Sequence, residues 1–414
     1  MKTMLSEKAV KSRPPYRIGI GLAIGVLSWL LPYVGVNSTL LPALLQKIAP
    51  AQKVQIIAEV ATIGMIVAAI ANVVFGALSD RTRSRHGRRT PWIIIGSIGS
   101  AICFWLITIT TSIPMLLVIW GVYQAALNAV VGPLLAILSD LVPKKYKGTI
   151  ASFYGIANSV ANPLGTIVAS QFLTKINMGI WTMIAIQLVL GFLCVAVIHE
   201  PGNKDDKVEP LHGYQLIEAF IFPVHGQLRD FYLSLFGKLL IVAAHYIIVG
   251  YQLYIFMDYM KLSSGEAASS LSIMSTILMF TGMFFAAISG PIADKIGSIK
   301  KMMVIASVGF GIGVLMPFFD PQPWTMFAYA VIGGSCYGIY NSIDQALNVS
   351  VLPSKKAAAK DLGILNLANT IGQILGPIVA SVVITQMGYH LIFMAAFIMC
   401  VIGGVLFQMI RKVA

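Results

Sequence analysis

Asp344 stands alone as an acid deep in an apolar run of this 414-residue chain, with Asn341, Gln345 and Asn348 at i, i+3, i+4 and i+7 spacing around it. On a helix that spacing places four polar groups on one face. A carboxyl taken out of water is costly to ionise, which suits it to carrying a proton; the plainer alternative is a structural ion pair. A second apolar run carries Lys238, His245 and Gln252, seven residues apart and so close to one face. Lys238 lies near the end of its run and can snorkel to the interface. His245 is deeper, where an imidazole can relay a proton or bind a hydroxyl. Gln124 with Asn128, and Trp29 with Tyr33, form two i, i+4 pairs. Amides supply donors and acceptors together, and beside aromatic faces they suit a polyhydroxylated ring.

These residues need apolar elements to hold them. Hydrophobic residues make up 57% of the chain and charged residues 11%, far from a soluble globular balance. Apolar stretches of about 18 to 28 residues are long enough to cross a hydrocarbon core as helices. Twelve are readable, at 17–42, 53–79, 91–110, 114–140, 148–173, 178–198, 231–259, 267–289, 302–319, 323–352, 361–386 and 389–410. The fold class is therefore an all-α membrane protein.

The net charge of +13 is a topology signal. With Met1 in the cytoplasm, 24 of the 29 Lys and Arg residues fall on the cytoplasmic side, and only Lys47, Lys53, Lys175 and Lys261 on the other. That bias places both termini in the cytoplasm. It gives no reason to expect nucleic acid; the bilayer is the expected partner. Cys103, Cys194, Cys336 and Cys400 lie inside spans without a close pair, so neither a disulfide framework nor a zinc site is expected. No phosphate-cradling Gly-x-x-x-x-Gly-Lys-Ser/Thr loop occurs, so ATP is not the expected energy source. The first span is too long for a signal-peptide core and is read as retained.

The chain divides into a tail (1–16), six spans (17–198), a polar linker (199–230), six more spans (231–410) and a short tail (411–414). A short amphipathic helix around Tyr214 to Phe222 is one reading of the linker; a solvated tether is the other. Two internal matches support duplication. Residues 155–170 and 366–381 share eight of sixteen positions at an offset of 211, including Asn158/Asn369 and Gly165/Gly376. Gly76-Ala-Leu-Ser-Asp80-Arg81, followed by Gly87-Arg88-Arg89, returns as Gly290-Pro-Ile-Ala-Asp294-Lys295, followed by Gly297 and Lys300-Lys301. Its aspartates are 214 apart. Repeats of this kind put a binding site near the midplane, between the halves.

The Gly-x-x-x-Asp-Arg/Lys…Gly…basic-basic pattern, between the second and third spans of each half, resembles the signature loop of the major facilitator superfamily. The resemblance covers essentially the whole chain. It implies two pseudo-symmetric six-helix bundles rocking about a cavity lined by spans 1, 4, 7 and 10. It also implies that the residues of both loops form a cytoplasmic gate. Glycines one turn before the acids would admit a partner helix there. The longer wording of the first loop, from Asp80-Arg81-Thr82 to Pro91-Trp92, is similar to glycoside–pentoside–hexuronide:cation symporters and to plant-type sucrose transporters. Leu31-Pro32-Tyr33-Val34 adds to the sucrose-like wording. The sequence departs from melibiose permeases, which carry acidic cation ligands in span 2, where this chain has Asn72; that argues against sodium.

The resulting expectation is a monomeric secondary transporter in a bacterial cytoplasmic membrane. It would have no cofactor and no enzymatic activity, and would couple a proton to symport of a sugar, glycoside or similar small polar solute. Substrate contacts are expected from Trp29, Tyr33, Gln124, Asn128, His245, Gln252, Asn341 and Gln345, and proton coupling from Asp344 and His245. A proton-driven exporter of amphipathic compounds and a non-transporting receptor are the alternatives.

Overall fold

The computed structural model describes residues 14–204, 222–223, 228–353 and 358–411; the linker residues 214–221 lie outside these. Among the described residues run twelve long helices: α1 (Tyr16–Ile48), α2 (Lys53–Arg81), α3 (Thr90–Ile109), α4 (Ile113–Leu141), α5 (Lys147–Ser170) and α6 (Ile176–Ile198) form the first half. The second half holds α7 (Leu228–Val249), α8 (Ser264–Ile296), α9 (Ile299–Phe319), α10 (Pro323–Ser350), α11 (Ala358–Met387) and α12 (His390–Gln408). Ten are long and apolar enough to cross a bilayer. The other two, α5 and α10, are as long (24 and 28 residues) but more polar. Polar content in those helices is what a buried aqueous path requires.

Two helices deviate from a plain span. α1 contains a π-turn at Val36–Leu40. α7 stops at Val249; beyond Gly250 and Tyr251 come a short helical piece, Gln252–Tyr254, and a π-turn, Ile255–Tyr259. The expected continuous span 231–259 is therefore broken. Gln252 does not continue the His245 face, because the break resets the helical phase.

Each half packs in the same way. α1 contacts α5 and α6 as α7 contacts α11 and α12, and α4 contacts α2 and α3 as α10 contacts α8 and α9. Apolar side chains gain little by leaving lipid for a protein interior, so such contacts rest on close backbone approach at small residues. Gly165 in α5 lies against the Leu31 carbonyl and Val34, and Gly376 in α11 against the Ala243 carbonyl and Tyr246. A Cβ at either glycine would come within 2.5 Å of the carbonyl oxygen. The matched contacts pair Leu31 with Ala243 and Val34 with Tyr246, both 212 residues apart. The sequence repeat is thus a spatial one.

The halves meet through α5 with α8 and α2 with α11. The face carrying the start of α1, the end of α12 and both signature loops is the terminal face, and the opposite one the far face. Toward the terminal face, a Cβ added at Gly76, Gly148, Gly155, Gly290 or Gly363 would meet nothing within 4 Å. These five positions lie on the four helices that join the halves. The space expected to receive a partner helix at Gly76 and Gly290 is open, so the molecule is splayed at its terminal face.

Candidate functional site

Between the halves lies a small pocket of about 30 Å³. From α1, α2 and α4 it takes Tyr33, Asn37, Trp120 and Gln124 over an apolar floor; from α7 and α11 it takes Tyr246 and Gln373. Trp120 is fully buried, stacked between Tyr33 (centroids 6.3 Å apart) and Tyr123 (5.0 Å). The Tyr33 hydroxyl faces the Gln124 amide. Gly64 leaves room for both groups: a Cβ there would stand 2.9 Å from the Trp120 indole nitrogen and 3.0 Å from the Gln124 amide nitrogen. None of the thirteen described residues lining the pocket is charged.

Of the expected contacts, the pocket therefore gathers Tyr33 and Gln124. Trp29, one turn from Tyr33, is half-buried, and its indole N–H has no partner among the described residues. Asn128 is buried; its amide donates to the Gln124 carbonyl (2.9 Å), and its carbonyl accepts from Asn72 on α2 (3.2 Å). It ties two helices together in this conformation. His245 stacks on Tyr337 of α10 with centroids 4.0 Å apart and planes at 8°. Its Nδ1 is buried without a partner among the described residues. Gln252 is buried beyond the break in α7.

The polar face of α10 divides. Asp344 and Asn348 are buried, whereas Asn341 and Gln345 are exposed. At 100° per residue the four positions cover a stripe about 100° wide, so one edge turns inward and the other faces the opening. Lys238 does not snorkel. It is 1% exposed, and its Nζ lies 2.7 Å from Asp344 Oδ2, with Asn366 Oδ1 at 3.4 Å. A carboxylate within reach removes the need to extend to the interface. Asn348 donates to the same Asp344 oxygen at 3.0 Å, and Asp344 Oδ1 is left without a partner among the described residues.

The far face is closed by contacts between the halves. Lys53, at the start of α2, pairs with Asp258, bonds Gln46, and sits 4.7 Å over the Tyr254 ring. Asp258 also accepts from the Tyr389 hydroxyl (2.8 Å). The Tyr254 hydroxyl donates to the Pro42 carbonyl (2.9 Å), Tyr251 lies 2.8 Å from the Val54 carbonyl, and Ser170 bonds Ser272 (2.7 Å). Asp258 was not singled out in the sequence, and nothing there pairs it with Lys53.

At the terminal face the first signature loop is bound within its own half. Arg89 is buried and pairs with Asp80 and with Asp140 of α4; Arg88 also reaches Asp140 at 2.8 Å. The Glu200 carboxylate accepts from the backbone N–H groups of Arg88, Arg89 and Thr90 at 2.8–3.2 Å. It thereby satisfies donors left free at the start of α3. Gly87 makes the turn at φ +86°. Arg81 is exposed. In the second loop, Gly297 ends α8 at φ +66°, Ser298 caps α9, Lys300 donates to the Ile410 carbonyl and Lys301 donates its backbone N–H to Ser298. Lys295 is exposed, and the side chain of Asp294 lies outside the described residues. The hydrogen bonds and ion pair that join the halves among the described residues all lie at the far face.

The model of the Major Facilitator Superfamily matches residues 17–270 and 239–413, nearly the whole chain in two segments. The chain belongs to the Major Facilitator Superfamily. Solved structures of the same fold include a substituted form of the nucleoside transporter NupG (TM-score 0.74, 17% identity, 95% of this chain and 99% of that one). A D-xylose–proton symporter follows (0.69, 13%, 95% and 97%). A third is a bacterial homologue of the human lysosomal transporter Spinster, in an inward-facing and occupied conformation (0.69, 15%, 96% and 97%). No curated protein sequence matches the chain at a significant level. At these identities the structural relatives establish the fold alone.

Proposed function

We propose that this transporter is a proton-coupled symporter for a sugar, glycoside or similar small polar solute. The observation that carries the reading is the pocket between the halves, where the half-buried Tyr33 ring, backed by Trp120, lies beside the amides of Asn37, Gln124 and Gln373. Stacking covers the apolar face of a ring while the amides bond its hydroxyls. The first-loop wording, similar to glycoside–pentoside–hexuronide symporters and sucrose transporters, supports the same class. So do two structural relatives whose names specify D-xylose with a proton and nucleosides.

With the positive-inside rule placing the terminal face in the cytoplasm, the conformation is inward-open with its outer gate shut. Alternating access then requires the Lys53–Asp258 gate to part and the Asp80 and Asp294 loops to latch the inner face. Asp344 is the proposed proton carrier. Protonation removes its charge and releases Lys238, so uptake and loss of the proton alter the packing of α7 against α10. Purified protein in liposomes tests this: a pH gradient, acidic outside, should drive accumulation of a labelled hexoside. Gradient-driven export of a cationic dye without sugar uptake would favour an exporter. Failure of any solute to show counterflow would leave only a receptor.

A further inference from the structure

The pseudo-twofold relation joins two groups of residues that sequence comparison leaves apart. The Gly165 and Gly376 contacts fix the register of α1 against α7 at 212 residues, which sets Tyr33 opposite His245. The register of α4 against α10 comes from Gly121 and Gly334, whose nearest neighbours include Val67 on α2 and Thr281 on α8. Gly121 and Gly334 stand 213 apart, which sets Gln124 opposite Tyr337 and Asn128 opposite Asn341. Tyr33 faces Gln124 in the first half; His245 stacks on Tyr337 in the second, and Asn341 faces the Tyr337 hydroxyl. One half-site is at the pocket wall. The other is one residue from Tyr246, which lines that wall.

Both half-sites are neutral. The charged groups beside the second half-site, Lys238 and Asp344, are paired with each other inside the second bundle, with Asp344 close enough to act on Tyr337, and Lys53 is paired with Asp258 at the far face. The buried Nδ1 of His245 and indole N–H of Trp120 have no partners among the described residues, so the walls hold unused hydrogen-bonding capacity, while the charges beside them, Lys238 and Asp344, are taken up by each other. An ionised solute would lose hydration there without compensation, whereas a hydroxyl would be bonded.

Resting on the transport reading above, we infer that Tyr33–Gln124 and His245–Tyr337 are matched halves of one site that takes an uncharged, hydroxyl-bearing ring and rejects its acidic and cationic analogues. Tyr337 is a specificity-determining residue of the second half. The site selects against charge by giving it no partner.

The test is competition for counterflow by wild-type protein in liposomes, with methyl glucoside, methyl glucuronide, glucosamine and uridine as unlabelled probes against a labelled solute that is carried. The neutral probes should compete at least ~10-fold better than the charged ones, about the ratio that 1.4 kcal/mol of uncompensated desolvation gives. Equal or better competition by the glucuronide or the amino sugar overturns the inference. If uridine competes and no hexoside does, the neutral site stands while the sugar reading fails. For the second half-site, His245→Gln keeps a polar side chain of similar size, and Tyr337→Phe keeps the ring while removing only its hydroxyl. Each should weaken the neutral probe about tenfold with an unchanged melting temperature. Unchanged competition in both variants refutes the assignment of that half.

Discussion

The Lys53–Asp258 pair should hold the far face shut, and Asp258→Asn should open it. Lys53 keeps 10% of its side-chain exposure and Asp258 22%. The pair therefore falls between solvent-screened bridges, worth ~0–1 kcal/mol, and fully buried ones, whose disruption costs ~3–5 kcal/mol. About 2 kcal/mol is a fair value for losing the charge while the substituted amide keeps one acceptor. That stabilisation exists only with the gate closed, because opening exposes both side chains to water. Removing it should raise the open-to-closed ratio about 30-fold. The assay uses Asn37→Cys, at a pocket residue, in protein whose four native cysteines have been replaced. An impermeant maleimide added at the far face should label that cysteine about 30-fold faster in Asp258→Asn than in the parent. Adding Lys53→Met should produce little further gain, since the two residues act through one contact. An unchanged labelling rate in folded Asp258→Asn, or independent, additive effects of the two substitutions, would refute the gate.

Other substitutions probe the rest of the machine. Asp344→Asn should abolish accumulation against a gradient but leave counterflow measurable, since counterflow needs no net proton movement; accumulation that persists removes the coupling role. Glu200→Gln should lower stability by about 1–2 kcal/mol, read as a melting temperature a few degrees lower, because the amide keeps one acceptor and loses the charge at the α3 terminus. A Cβ at Gly76 meets no atom within 4 Å in this conformation; Gly76→Leu should melt normally yet lose transport, because the leucine blocks approach of the partner helix when the terminal face closes. Gly165→Leu should instead destabilise the fold by at least ~1–3 kcal/mol, since its Cβ would lie against the Leu31 carbonyl.

Much of the architecture was readable from residue order. Apolar runs of membrane-spanning length, the paired Gly–Asp–basic loops and the match of 155–170 with 366–381 fix two six-helix halves, because each signal is local. Part of the pocket was readable too: Tyr33 and Gln124 stood out as polar or aromatic residues at helical spacing. Asn37 lies one turn beyond Tyr33, and Trp120 one turn before Gln124, so extending the same two stripes would have found them. Gln373 and Tyr246 carried no comparable signal.

Residue types and their spacing along the chain determined the spans, the duplication, the sidedness of charge and the presence of a buried acid. Only the tertiary structure decided which charges meet. Lys238 and Asp344 are 106 residues apart, and Lys53 and Asp258 are separated by 205. Helical periodicity says which face a residue occupies but not which helix lies opposite, and a tilt or a break such as that at Gly250 changes the partner. The choice between an open terminal face and a closed one is likewise a matter of how two rigid bundles lean, set by weak contacts between halves that leave no pattern in either half alone.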